Sequence, residues 1–92
     1  MSKSILQTEK RSYLNGDTRN LHKHHIYSGR NRNASEKHGF WVWLTAEQHN
    51  MSDAGVHFNK ELDLRLKREC QAKFEETHTR DEFMQIIGRN YL

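Results

Sequence analysis

The segment Leu21–Tyr27, with the sequence LHKHHIY, decides the fold. It predicts a short β-strand that carries three histidines. Because successive side chains of a strand point to opposite faces, we expect His22 and His24 on one face and His25 on the other. Adjacent histidines can therefore serve two different roles, one binding a metal while its neighbour titrates.

A second strand is predicted downstream, at Phe40–Leu44. Its sequence FWVWL is aromatic and β-branched, which is typical of a well-buried strand. The intervening segment Ser28–Gly39 is rich in polar residues, Gly, Asn and Arg, and predicts a loop. Since structureless connections of about a dozen residues in compact domains are commonly functional, we expect this loop to have a role.

Helical segments are predicted after the second strand. Thr45 is a suitable N-cap for a short turn that carries His49, and Gly55 interrupts that turn. From Asn59 onward the apolar residues recur at helical spacing, and Thr79 with Glu82 three residues later forms a capping box for a terminal helix. The apolar positions expected to face the core are Leu62, Leu64, Leu66, Cys70 and Phe74, then Phe83, Ile86 and Ile87 before a closing Gly88.

Length and charge point to one small domain with a basic half. A chain of 92 residues buries only about 60 to 65% of the surface that its unfolded form exposes, so a metal or a dimer interface would add stability. The net charge of +3 comes from 15 Lys and Arg against 12 Asp and Glu, and the basic excess lies between Lys3 and Lys37. This distribution indicates a surface that binds a polyanion. The alternative is a solvated basic surface with no partner.

Several classes of protein are disfavoured. The single cysteine, Cys70, excludes an intramolecular disulfide and a cysteine-based zinc ribbon, and we expect it to be a buried, inert thiol. No apolar run approaches the roughly 18 residues of a membrane span, and the first residues lack the apolar core of a signal peptide. We therefore expect a cytoplasmic protein with no membrane partner.

Histidine is the most informative residue type. The chain has seven, and the six at positions 22, 24, 25, 38, 49 and 57 fall within 36 positions, which indicates metal or acid–base chemistry. His49 and His57 lie on either side of a glycine-containing turn and can converge on a cation with His24. Asp53 is a reserve ligand, or it caps the turn before Gly55.

The order of these features resembles a known family. His24-His25-Ile26, the loop, the strand Phe40–Leu44 and the segment 49–59, HNMSDAGVHFN, are similar to the HNH endonucleases of the ββα-metal fold, specifically the small phage-encoded kind. The similarity runs from about Lys10 to Leu92.

The resemblance implies a fold and an activity. The expected fold is α+β: a small ββα-metal core, made of a two-stranded antiparallel hairpin plus helices, with a C-terminal helical extension. The chain would be one HNH-like domain, with an N-terminal segment at 1–20, the ββα-metal motif at 21–58 and C-terminal helices at 59–92. The implied function is a metal-dependent endonuclease or nickase that hydrolyses DNA phosphodiester bonds in the cytoplasm of a bacterial host.

The resemblance also implies residue roles. His24 would be a metal ligand, His25 the general base that activates water, and His49 and His57 further ligands. One divalent ion polarises the scissile phosphate in such enzymes, and imidazole ligands favour Zn, Ni or Mn over Mg. The expected phosphate contacts are Arg19, Lys23, Arg30, Arg32 and Lys37, which give affinity without sequence information.

Alternatives stay open. The central asparagine of the family normally stands at the start of the second strand, where this chain has His38-Gly39-Phe40. The alternative function is a catalytically weak or inactive HNH-like protein that binds nucleic acid or protein as an inhibitor, and a purely structural zinc protein is a third possibility.

Some residues also have two interpretations. Trp41 and Trp43 could stack on nucleic-acid bases, but we favour packing in the protein core for at least one of them. We expect His22 and His78 to be solvated or hydrogen-bonded, and a homodimer or a larger protein partner is compatible with this chain.

Overall fold

The two predicted strands form an antiparallel pair. The computed structural model describes residues 3–51 and 59–92, and in it β1 spans Leu21–His25 and β2 spans Trp41–Thr45. His24 lies opposite Val42 and His25 opposite Trp41. Both strands are thus where the sequence predicted them, although β1 ends two residues earlier and β2 is displaced by one.

Helices supply the rest of the regular structure. A 3₁₀ turn at Gly29–Asn31 leads into α1, Arg32–His38, and a π-helical turn at Glu47–Met51 follows β2. Helix α2 spans Lys60–Phe74 and α3 spans Arg80–Ile87. The described residues therefore form a small α+β domain with a two-stranded antiparallel pair and helices, as predicted.

The prediction that Ser28–Gly39 is a loop is wrong. The segment is mostly helical, because the buried Ser35 hydroxyl donates to the Tyr27 carbonyl oxygen at 2.6 Å and accepts from the Tyr27 amide at 3.2 Å. These bonds fix α1 against the end of β1. A helix of seven residues is marginal in isolation, so its formation depends on this packing rather than on local propensity.

The core lies between the sheet and the C-terminal helices. Asn59 caps α2 by accepting from the Leu62 amide at 3.0 Å, and Thr79 and Glu82 form the predicted reciprocal capping box of α3. The predicted stripe of α2 is confirmed at Leu66, Cys70 and Phe74, whereas Leu64 is half-buried and lies outside the core cluster. The buried apolar residues in one cluster are Ile26, Tyr27, Phe40, Val42, Leu44, Leu66, Cys70, Phe74, Phe83 and Ile87, with Leu62 and Ile86 partly buried beside them.

The sheet therefore has two different faces. The inner face carries His22 and His24 of β1 with Val42 and Leu44 of β2, the two apolar residues that belong to the core. The outer face carries the remaining side chains of both strands. These are Leu21, Lys23 and His25 of β1 and Trp41, Trp43 and Thr45 of β2.

An N-terminal segment, residues 3–14, runs beside β2 and the outer face. The Tyr13 amide donates to the Trp43 carbonyl oxygen at 2.8 Å, and the Ile5 amide donates to the Gly39 carbonyl oxygen at 2.9 Å. Gly39 has a φ of 76°, and a Cβ there would collide with the Lys3 carbonyl oxygen. Only glycine fits this crossing point. None of the helices in residues 3–51 and 59–92 is long and apolar enough to cross a membrane.

Candidate histidine site

Three imidazole rings meet at the inner face of the sheet. The ring centroid of His49, on the π-helical turn, lies 5.3 Å from that of His24 and 5.6 Å from that of His22. The structure thus brings together His24 and His49, two of the three residues expected to bind a metal. The third, His57, and the reserve ligand Asp53 lie outside the described residues.

The turn that carries His49 is held from both sides. The Gln48 amide donates to the Thr45 hydroxyl oxygen at 3.2 Å, and the Thr45 amide donates back to the Gln48 side-chain oxygen at 3.0 Å. The N-cap role predicted for Thr45 is confirmed. The buried Ser12 hydroxyl also donates to this Gln48 oxygen, at 2.6 Å, so the N-terminal segment fixes the turn as well.

The three rings differ in exposure. His24 is buried, with 4% of its surface exposed, whereas His22 is exposed and His49 is half-buried. The expectation that His22 is solvated is correct, but the sequence reasoning did not place it beside His49. Strand alternation gave the available signal, because it puts His22 on the same face as His24.

His25 lies on the outer face, as alternation predicted. Its Nε2 is 3.0 Å from the Glu36 carboxylate of α1, and the same carboxylate accepts from the Lys23 ammonium at 3.1 Å. The hydrogen bond with His25, followed by the one from Lys23, lowers the pKa of the Glu36 carboxyl below its usual value. When Nε2 carries the hydrogen and donates to Glu36, Nδ1 of His25 holds the lone pair that can accept a proton. Glu36 was missed because α1 was not predicted.

The predicted phosphate contacts fall into two groups. Lys23 is engaged on the outer face, where its ammonium lies 4.3 Å from the Trp41 ring centroid and bonds to Glu36. Arg19 is largely exposed and approaches the Asp17 carboxylate at 3.5 Å. The remaining three lie on the 3₁₀ turn and α1 and are all exposed: Arg30, Arg32 and Lys37.

The tryptophans pack against the protein. Trp41 has 8% of its surface exposed and its ring contacts that of Trp43 edge-on at 5.4 Å. The preference for packing of at least one tryptophan is confirmed for Trp41. Trp43 is half-buried, and the Lys10 ammonium lies 4.8 Å from its ring centroid.

Two histidines belong to the aromatic packing instead of the site. His78 stacks on Phe74 with ring centroids 4.2 Å apart, and His38 stacks on Phe40 at 5.6 Å. Burial, followed by the nearby charges of Lys37 and His78, lowers the pKa of His38.

The single cysteine is also outside the site. Cys70 is buried as predicted, and burial raises the pKa of its thiol to about 12, so it is unreactive.

An imidazole donor set suits Zn, Ni or Mn, and the His24–His49 pair provides part of such a set. Within residues 3–51 and 59–92, no three His, Cys, Asp or Glu side chains are arranged to hold a metal ion. Searches against models of protein families, curated proteins and solved structures found no match to this chain.

Proposed function

We propose that the protein is a metal-dependent HNH-type endonuclease or nickase that hydrolyses DNA phosphodiester bonds. The observation that carries the proposal is the division of adjacent histidines between two environments. His24 faces His49 with ring centroids 5.3 Å apart, while His25 lies on the opposite face of the same strand against Glu36. The arrangement of a two-stranded antiparallel pair followed by a histidine-bearing turn supports the resemblance to the ββα-metal fold.

In this proposal His24, His49 and His57 hold one divalent ion. Imidazole nitrogens favour Zn, Ni or Mn, with Mg as the weaker fit. Such an ion, when bound, polarises the scissile phosphate and stabilises the leaving oxygen. The burial of His24 fixes one donor in place, and the bonds between Thr45 and Gln48 orient the turn that supplies the second.

His25 is the proposed proton acceptor. Glu36 would hold the ring through Nε2 and leave Nδ1 to take a proton from water, as carboxylates do for histidines in many hydrolytic sites. Lys23 would keep Glu36 ionised, since it bonds to the same carboxylate at 3.1 Å. Glu36 is therefore a positioning residue in this proposal.

The proposed nucleic-acid contacts are the exposed cations of the first half of the chain. Arg30, Arg32 and Lys37 lie on one continuous segment, the 3₁₀ turn with α1, and Arg19 precedes β1. Cations that neutralise phosphates release counterions, so affinity for DNA should fall steeply with salt and depend little on sequence. We further propose a phage-encoded protein that acts in the bacterial cytoplasm.

The test is a plasmid-nicking assay of the wild type and His25→Ala in Mg²⁺, Mn²⁺, Ni²⁺ and Zn²⁺. We expect nicking by the wild type in at least one metal and a rate about 10² to 10⁴ lower for His25→Ala, because general-base catalysis contributes that much. Metal and DNA affinities should be unchanged. His78→Ala removes an exposed histidine that stacks on Phe74 and serves as the matched control.

A second candidate function is supported by one observation. The position where the family has its central asparagine holds His38-Gly39-Phe40, and His38 stacks on Phe40 with ring centroids 5.6 Å apart. This favours an HNH-like module that binds nucleic acid or protein without cutting it. A wild type that nicks nothing in any of the four metals, yet binds DNA, would establish this candidate in place of the enzyme.

A further inference from the structure

A cavity lies between the N-terminal segment and the outer face of the sheet. Its volume is about 460 Å³, within the range of about 300 to 1,000 Å³ that is usual for small-molecule sites. Trp41 and Trp43 line it on the side of the sheet. Polar and charged residues complete the lining: Lys3, Ser4, Gln7, Thr8, Glu9 and Lys23. The cavity therefore combines an aromatic wall with groups that can bind the polar parts of a ligand.

Hydrogen bonds hold the segment that closes the cavity. The Ser4 hydroxyl donates to the Trp41 carbonyl oxygen at 2.5 Å, and the Trp43 amide donates to the Gln7 side-chain oxygen at 2.6 Å. The Gln7 side-chain nitrogen donates in turn to the Arg11 carbonyl oxygen at 2.8 Å. Because residues 4 and 7 are both bonded to β2, the walls are fixed before a ligand arrives, which lowers the entropy cost of binding.

Trp43 is the tryptophan that a ligand can reach. It is half-buried, whereas Trp41 is buried. The two rings meet edge-on, with centroids 5.4 Å apart and planes at 83°, so they do not stack on each other. The Lys10 ammonium lies 4.8 Å from the Trp43 ring centroid, but Lys10 is outside the lining and covers another part of the ring. The part of the Trp43 ring in the cavity is therefore accessible to a second flat ring.

The charges around the cavity favour an anionic ligand. Lys3 and Lys23 belong to the lining, and the exposed Lys10 stands beside it. Glu9 contributes a carboxylate to the lining, but the Arg11 guanidinium lies 3.7 Å from it and offsets its charge. An aromatic ring bordered by cations is the combination with which proteins bind unpaired nucleic-acid bases and their phosphates.

We infer that this cavity binds an unpaired nucleobase of a single-stranded nucleic acid, which stacks on Trp43. The inference rests on the proposed function for nucleic acid as the partner, and it specifies the substrate as single-stranded or locally unpaired DNA. The cavity adjoins the proposed general base, because Trp41 is paired with His25 across the two strands. Lys23 also bonds at 3.1 Å to the Glu36 carboxylate that contacts His25. A nucleotide in the cavity would lie on the same face of the sheet as His25.

The first test compares ligands with and without bases. The chain has two tryptophans and both line the cavity, so their fluorescence reports on the site directly. A short oligodeoxythymidylate should quench this fluorescence. Its affinity should exceed that of an abasic oligomer of equal length by about 5- to 150-fold, since stacking on an aromatic side chain has an effect of this size. Equal affinities, or binding of the thymidylate oligomer without quenching, would overturn the inference.

Two further ligands identify the form in which the base is bound. A duplex of the same length should bind without the quenching, because its bases are stacked on one another. Thymidine monophosphate should bind more weakly than the oligomer, because it lacks the neighbouring phosphates. Quenching by the duplex that equals quenching by the single strand would overturn the inference, and so would tighter binding of the mononucleotide.

The second test uses two substitutions of the ring that stacks. Trp43→Leu should lower the affinity for labelled oligodeoxythymidylate to that for the abasic oligomer, whereas Trp43→Phe, which keeps an aromatic face, should retain most of it. Both side chains are smaller than tryptophan, so a purely structural role would be disturbed by both alike, and circular dichroism checks the fold. Arg30→Ala, at an exposed position on the 3₁₀ turn, should weaken both oligomers equally, because phosphate contacts do not depend on the base. Equal losses in Trp43→Leu and Trp43→Phe would overturn the inference, and the wild-type comparison decides alone if neither variant folds.

The nicking assay separates this inference from the proposed function. If the wild type nicks DNA but binds the thymidylate and abasic oligomers equally, the inference fails and the proposed function stands. If it nicks nothing in any metal but binds the thymidylate oligomer more tightly and with quenching, the inference stands and the endonuclease fails.

Discussion

The two faces of the two-stranded sheet place neighbouring histidines in contrasting surroundings. On the inner face, His24 is buried next to the imidazole of His49, and Val42 opposite it belongs to the core. On the outer face, His25 meets the carboxylate of Glu36. A step of one residue along β1 therefore changes the partner of an imidazole from another imidazole to an anion.

The faces also differ in what stabilises them. The inner face gains from burial of apolar side chains, at about 1.5 to 3 kcal/mol for each large one. The outer face relies on partly exposed contacts, such as the Lys23 ammonium over Trp41 and its ion pair with Glu36, which contribute about 1 kcal/mol or less each. We therefore expect substitutions on the inner face to cost several times more stability.

The largest difference in unfolding free energy should be between alanine substitutions of two leucines, one on each face. Leu44→Ala removes a fully buried side chain of the inner face and should lower the free energy of unfolding by about 2 to 5 kcal/mol. Leu21→Ala, on the outer face at a half-buried position, should cost about 1 kcal/mol or less. Urea unfolding followed by circular dichroism measures both, and equal losses would show that the faces do not differ in this way.

An intermediate effect should come from the crossing of the N-terminal segment over Gly39. Gly39→Ala and Gly16→Ala share the strain of a left-handed backbone, with φ of 76° and 79°, which costs about 1 to 2 kcal/mol. Only at Gly39 does the new methyl group collide with the Lys3 carbonyl oxygen, while nothing lies within 4 Å at Gly16. We expect Gly39→Ala to lose about 1 to 3 kcal/mol more than Gly16→Ala in urea unfolding. Equal losses of unfolding free energy would mean that the close contact of the N-terminal segment with Gly39 does not contribute to stability.

The smallest effect should come from Glu36→Gln on the outer face. Because contacts with His25 and Lys23 lower the pKa of Glu36 in the folded state, the unfolded state binds more protons as the solution is acidified. The contribution of this carboxylate is present above the ordinary glutamate pKa of about 4.3 and is lost as the pH falls through the lower folded value.

Glu36→Gln should therefore cost about 0.2 to 1 kcal/mol at pH 7 and nothing once the wild-type carboxylate is protonated. Unfolding measured from pH 7 to pH 3 checks this, with Glu76→Gln as control, since it removes an exposed ion pair to Lys73 at 3.3 Å. If the difference in unfolding free energy between Glu36→Gln and the wild type stays constant over this pH range, the ionised Glu36 carboxylate is not the source of the stability.

Local features of the sequence were sufficient for much of the fold. Alternation and β-branched content located both strands to within two residues, and the four-residue spacing of Leu62, Leu66, Cys70 and Phe74 located α2. The capping box at Thr79 and Glu82 located the start of α3. These predictions succeeded because the energies involved act between residues that are close along the chain.

The prediction failed where stability comes from distant contacts. The segment Ser28–Gly39 has the composition of a loop, yet α1 forms within it because Ser35 bonds to the backbone of Tyr27. Without α1, no local pattern could indicate that Glu36 reaches His25 from 11 positions away. The assignment of the base to the outer face followed from the sequence, but its partner did not.

The sequence by itself determined which histidines share a face of β1, because side chains alternate along every strand whatever packs against it. It also determined where the principal helices begin, because caps act on the backbone next to them. Only the tertiary structure decided that His22 faces His49, that Glu36 contacts His25, and that residues 3–14 run beside β2. Each of these contacts joins separate elements, and their relative placement depends on the shape of the shared core, which no local periodicity encodes.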